Sequence, residues 1–182
     1  TNHASILRLA LTLLIITLVM GALLAGVNLI TKPTIDAQKA AKRQAAIEAV
    51  LPGGGREIPF SDETGTVTMV CASDTGYAVE VKVMGFKDTI TMMVGIDRSG
   101  AVLAIEIVDH SETAGLGAVA GEQNAAGEAF RGQFVGTFGK LLVDKDNGFI
   151  DSITGATVTS RAVTNGVNAA LACVGKLQEG TK

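Results

Sequence analysis

A run of 23 residues without a charged side chain, Leu9 to Thr31, most limits what this 182-residue chain can become. Leu, Ile, Val, Ala and Thr dominate it. As an α-helix, its apolar core from Leu9 to Ile30 is about 33 Å long at ~1.5 Å per residue, enough to cross a hydrocarbon layer about 30 Å thick with some tilt. A secretory signal has a shorter apolar stretch followed by a small-x-small cleavage site. Here the run is longer and passes directly into Lys32-Pro33, so the expectation is an uncleaved single anchor. One such segment excludes a multi-pass transporter.

About 150 residues follow, enough for one domain with its own core. Of the 15 Lys and Arg only Arg8 precedes the run, leaving 14 basic against 18 acidic side chains after it. That balance, with no Trp and one Tyr, argues against nucleic-acid binding. The two Cys, Cys71 and Cys173, and the two His, His3 and His110, make no metal-ligand pattern. A Cys71–Cys173 disulfide stays open.

Ile35 to Leu51 is rich in Ala, Lys, Gln and Glu, which favours a stalk helix, and Pro52-Gly53-Gly54-Gly55 stops it. Strand signals follow at 66–73, 77–84, 89–97 and 101–108. Tyr77, Val79, Val81 and Val83 alternate with Ala78, Glu80, Lys82 and Met84, the pattern of a half-buried strand. Asp97-Arg98-Ser99-Gly100 reads as a hairpin turn. A helix over 123–130 and a short strand over 140–143 are expected. A last helix over 158–177 has Val163, Val167, Ala170, Leu171, Val174 and Leu177 on one face and Thr157 as its N-cap. The order predicts an α+β fold: a single transmembrane helix and a stalk helix, then a domain with an antiparallel sheet and flanking helices. Expected boundaries are 1–31 for the anchor, 32–55 for stalk and linker, and 56–182 for the domain.

Two patterns are decoys. Gly115-Leu-Gly117-Ala-Val-Ala120 matches a dinucleotide fingerprint but lacks the strand and the βαβ context. Asp109-His110-Ser111 has the residue types of a hydrolase triad, yet consecutive residues cannot face one another that way. No independent catalytic site is expected.

One segment is different. Asp151-Ser-Ile-Thr154-Gly155-Ala156-Thr157-Val-Thr159-Ser160-Arg161 crowds five hydroxyls into nine residues at the start of a helix. A helix cap with spare Ser and Thr is one reading. A phosphate site is the other, because free N–H groups and a partial positive charge gather there and Arg161 is near.

The segment resembles the flavinylation motif of the RnfG family, the G-type subunits of Rnf electron-transport complexes, and of their relative, the C-type subunit of the sodium-pumping NADH:quinone reductase. His110-Ser-Glu112-Thr113-Ala114-Gly115-Leu116-Gly117 resembles a second family motif, with Ala114 in place of a proline. The likeness spans the chain, anchor included, and the compact length favours the RnfG family over the quinone-reductase relative. A membrane-anchored binding or assembly module without redox function is the alternative from another class. The resemblance implies FMN joined covalently through its phosphate to Thr157 by a separate flavin transferase. It implies Thr154, Gly155, Ala156 and Ser160 around the phosphate, and Glu112, Thr113, Gly115 and Leu116 along the flavin. It implies an electron-transfer subunit of a redox-driven, ion-translocating complex in the cytoplasmic membrane, with other Rnf subunits as partners. It also implies a flavin domain on the extracytoplasmic side. The charges disagree on that last point: Lys32, Lys39, Lys42 and Arg43 outnumber Arg8, which by the positive-inside rule puts the domain in the cytoplasm.

Overall fold

The computed structural model describes residues 2–62 and 64–179, with side chains from Ser5 onward. The His3 side chain and the expected outer ends of anchor and domain, residues 1 and 180–182, lie outside them. Two compact units divide at Ala41 and Lys42.

The first unit is helical. Helix α1 is assigned over Asn2–Val50 and passes through Pro33. The expected anchor and stalk are therefore one helix. A proline inside a helix removes one hydrogen bond and crowds a carbonyl, at a cost of about 3 kcal/mol. The helix formers on both sides carry α1 through. From Ile6 to Ile30 its large apolar side chains are exposed. Among the described residues this is the one helix long and apolar enough to cross a membrane.

The second unit is an α+β domain around a five-stranded antiparallel meander of order β1-β2-β3-β4-β5. The strands are β1 (Arg56–Glu57), β2 (Val67–Ala72), β3 (Gly76–Met84), β4 (Thr89–Asp97) and β5 (Val102–Asp109). Each strand pairs with the next in sequence because every connection is short enough to be a hairpin. Helix α2 (Ala125–Gly132) begins at Asn124, whose side chain accepts the N–H groups of Ala126 and Gly127. Helix α3 (Thr157–Glu179) buries Val163, Val167, Ala170 and Val174 against Val79, Val81, Met92 and Val94.

The half-buried pattern expected for β3 is not what forms: Tyr77 to Val81 are buried on both faces. The reason is a second, smaller core. Ala46, Ile47, Val50 and Leu51, at the C-terminal end of α1 and just beyond it, pack with Cys71, Ala78 and Met93 on the face opposite α3. Glu80 points into that side and is 1% exposed. Arg43 meets it with Nε at 2.5 Å and Nη2 at 3.1 Å, and the Thr68 hydroxyl donates to it at 2.7 Å. Both cysteines are free and buried, in different cores: Cys71 in this one and Cys173 in the main one.

No strand forms at 140–143; Val143 makes only an isolated bridge to Ile150. Side-chain amides hold this region instead. Asn168 of α3 accepts the Leu141 N–H and donates to its carbonyl, both at 2.8 Å. Gln133 does the same for Asp151, at 2.7 and 3.2 Å. These two clamps fix the loop that leads into α3.

Candidate functional site

The loop closes with a turn in which the Ala156 N–H donates to the Ile153 carbonyl at 2.9 Å. Gly155, third in that turn, has φ +75°, a conformation that side chains resist. The Ala156 carbonyl then accepts the Ser160 N–H at 3.0 Å, the first bond of α3. Ala156 is thus the N-cap, and Thr157, expected in that place, is one residue inside the helix. Its side chain is not consumed in capping. Its N–H and the next two lie ahead of the first intrahelical bond and point out of the helix end.

The five hydroxyls separate sharply. Ser152 donates to Asp144, Thr159 to Glu112, and Ser160 to the Ala156 carbonyl. Ser160 also accepts the Ile153 N–H and is fully buried. It braces the turn and does not line the cavity, contrary to the phosphate-binding place expected for it. Arg161 is likewise turned away, in a two-point ion pair with Asp146 at 2.7 and 2.6 Å. The Thr154 and Thr157 hydroxyls make no hydrogen bond to a described residue, and of these two residues Thr157 lines the cavity at the helix start.

That cavity has a volume of about 320 Å³, within the ~300–1,000 Å³ usual for small-molecule sites. Gly155, Ala156 and Thr157 form one wall; Glu112, Thr113 and Leu116 form another. The two sequence motifs therefore meet. Thr154 and Gly115 lie on their loops outside the lining. Phe86, Gly117, Val158 and Thr159 line the cavity as well, although they were not among the expected site residues. Gly117 could have been read from the second motif, since a Cβ there would stand 2.5 Å from the Thr159 hydroxyl and 2.6 Å from Glu112 Oε2. Phe86 had no such signal.

Glu112 ties the walls together. Its buried carboxylate accepts the Thr159 hydroxyl and the N–H groups of Phe86 at 3.2 Å and Lys87 at 3.0 Å. Burial pushes this carboxyl up; the Thr159 hydroxyl and the N–H groups of Lys87, Phe86 and Asp88 outweigh it and hold the group below its ordinary value. A carboxyl depressed in the folded state stabilises fully above its unfolded value, near 4.5, and that stabilisation is lost as pH falls through the lower folded value. Glu112→Gln is expected to cost about 2 kcal/mol at neutral pH. It is also expected to flatten the fall of melting temperature below the unfolded value. Parallel melting curves for both proteins, from neutral pH down through this window, would contradict the ionised bracket.

Residues 85–172 match the FMN-binding domain, and residues 2–50 match the RnfG N-terminal region. The G subunit of the proton-translocating ferredoxin:NAD(+) oxidoreductase complex of Clostridium ljungdahlii is 33% identical, over 93% of this chain and 92% of its own. The G subunit of the ion-translocating oxidoreductase complex of Erwinia tasmaniensis is 31% identical, over 86% and 83%. Its counterpart in Methanosarcina acetivorans is 28% identical, over 99% and 100%. The chain belongs to the RnfG family. Family membership and the long apolar helix together point to membrane association.

The cavity of this RnfG chain fits FMN on its own chemistry. A helix start with free N–H groups suits the phosphate. Phe86, Leu116 and Val158 offer apolar surface for the ring system, and Thr113 offers a hydroxyl. With Arg161 engaged by Asp146, the positive end of α3 is the charge that faces a phosphate here.

Proposed function

We propose that this chain carries FMN through a phosphodiester to Thr157 and passes electrons within an Rnf-type ferredoxin:NAD+ oxidoreductase, with its domain on the extracytoplasmic side of the membrane. The observation that carries the reading is the state of Thr157: of the five motif hydroxyls it alone both faces the cavity and is free of a hydrogen bond among the described residues. During maturation a separate flavin transferase uses FAD. The Thr157 oxygen forms the new bond to phosphorus, the pyrophosphate bond to AMP breaks, AMP leaves and the hydroxyl proton is released. Bound FMN supplies one- and two-electron transfer. The chain's own residues supply position: the α3 start for the phosphate, Gly155 and Gly117 for room, and the Glu112 bracket for a fixed wall. The ion path lies in partner subunits, since the Leu9–Thr31 run contains no ionisable side chain.

The mass of the intact chain, made together with an active flavin transferase, tests the linkage. One FMN adduct that survives denaturation is expected; an unmodified chain would remove the reading. Protease treatment of intact cells tests the side of the membrane, and a domain protected from outside would reverse the placement.

A further inference from the structure

Phe86 is the largest side chain lining the cavity, and it is 71% exposed. It sits in the tight turn between β3 and β4, closed by the Gly85 N–H on the Asp88 carbonyl at 2.9 Å. The backbone under it is fixed. Two successive N–H groups, of Phe86 and Lys87, end on the buried Glu112 carboxylate. Gly85 is needed for that approach, because a Cβ there would meet Glu112 Oε1 at 2.5 Å and Ile90 Cδ1 at 2.8 Å. A large aromatic ring held on a braced turn, open to solvent and at the edge of a mostly apolar cavity, has no packing role in the chain itself. An aromatic face pairs well with another flat ring system.

We infer that Phe86 is a cofactor-contact residue whose phenyl covers the flavin ring system, and that Glu112 is the positioning residue that holds it there through the turn. The inference rests on the FMN reading of the cavity. It assigns Glu112 to the turn backbone and to Thr159, and gives the ring contact to a residue outside both sequence motifs.

The test uses the detergent-solubilised full chain carrying covalent FMN, with intact mass measured first for every variant. Flavin fluorescence is then read before and after denaturation, together with collisional quenching by iodide. In the parent protein, quenching by iodide is expected to rise several-fold on denaturation, because the phenyl then no longer covers the ring system. Phe86→Ala is expected to keep the adduct and to raise iodide quenching of the native protein several-fold. Phe86→Trp is expected to keep iodide out and, because an indole donates an electron to an excited flavin where a phenyl does not, to darken the native protein. Glu112→Gln is expected to act in the same direction as Phe86→Ala but less. Met84, equally exposed at 71% but outside the cavity lining, serves as control, and Met84→Ala is expected to change nothing. An adduct of unchanged iodide access in Phe86→Ala, or of unchanged brightness in Phe86→Trp, would overturn the contact while leaving the FMN reading intact. So would the same change in Met84→Ala, or a Phe86→Ala defect confined to assembly with partner subunits. A parent chain without adduct overturns both.

Discussion

Replacing Thr157 with valine is expected to abolish covalent FMN completely while leaving the domain folded. The substitution preserves shape and removes the single oxygen that can bear the phosphodiester. Thr157 lies one residue inside α3 and its side chain caps nothing, so the stability cost should stay within about 0.5 kcal/mol. Thr157→Ser keeps the oxygen and should retain attachment at reduced yield. Ser160→Ala should keep the adduct, because Ser160 braces the turn from its buried side. Intact mass and in-gel flavin fluorescence read the adduct, and thermal melting reads the fold. A folded Thr157→Val protein that still carries one covalent FMN would move the attachment to another residue.

The largest loss of stability is expected where Arg43 meets Glu80. Glu80 is 1% exposed, and its carboxylate is satisfied by Arg43 and the Thr68 hydroxyl. Arg43→Met leaves a buried charge with one neutral donor. Removing one partner of a buried pair costs roughly 3 kcal/mol, which lowers melting by about 10 °C in a domain of this size. The double variant Arg43→Met with Glu80→Met removes both charges and should recover most of that loss. Losses from the two single changes that simply add in the double variant would show that the pair is not coupled.

The main elements were legible in the sequence because their signals are local. The charge-free run, the strand alternation around Val79 and Val81, and the apolar face of α3 each depend on residues a few places apart. The convergence of the two loops was legible only through resemblance, since nothing local ties Glu112 to Thr159. What stayed hidden depends on distance in the chain. Ala78 and Glu80 read as the wet side of β3 because the end of α1 that covers them precedes β3 by some thirty residues. Phe86 looked like an ordinary turn residue, since its site is made by a carboxylate 26 positions later. The resemblance put Ser160 beside the phosphate and the sequence put Arg161 near it, and neither says which way the first turn of a helix faces. The stretch 140–143 looked like a strand because its partners are side-chain amides, which leave no periodic trace.

The second core also decides where the chain can be cut. Val50 and Leu51 are buried as deeply as any strand residue, and the Gly95 position leaves room only for the Val50 backbone and side chain. The last two turns of a helix that begins as the long apolar segment are therefore structural members of the α+β domain. A water-soluble fragment that starts at Lys42 keeps them and should behave as a monomer in gel filtration. One that starts at Arg56 bares Ala78, Met93 and the Glu80 carboxylate together and should precipitate or self-associate.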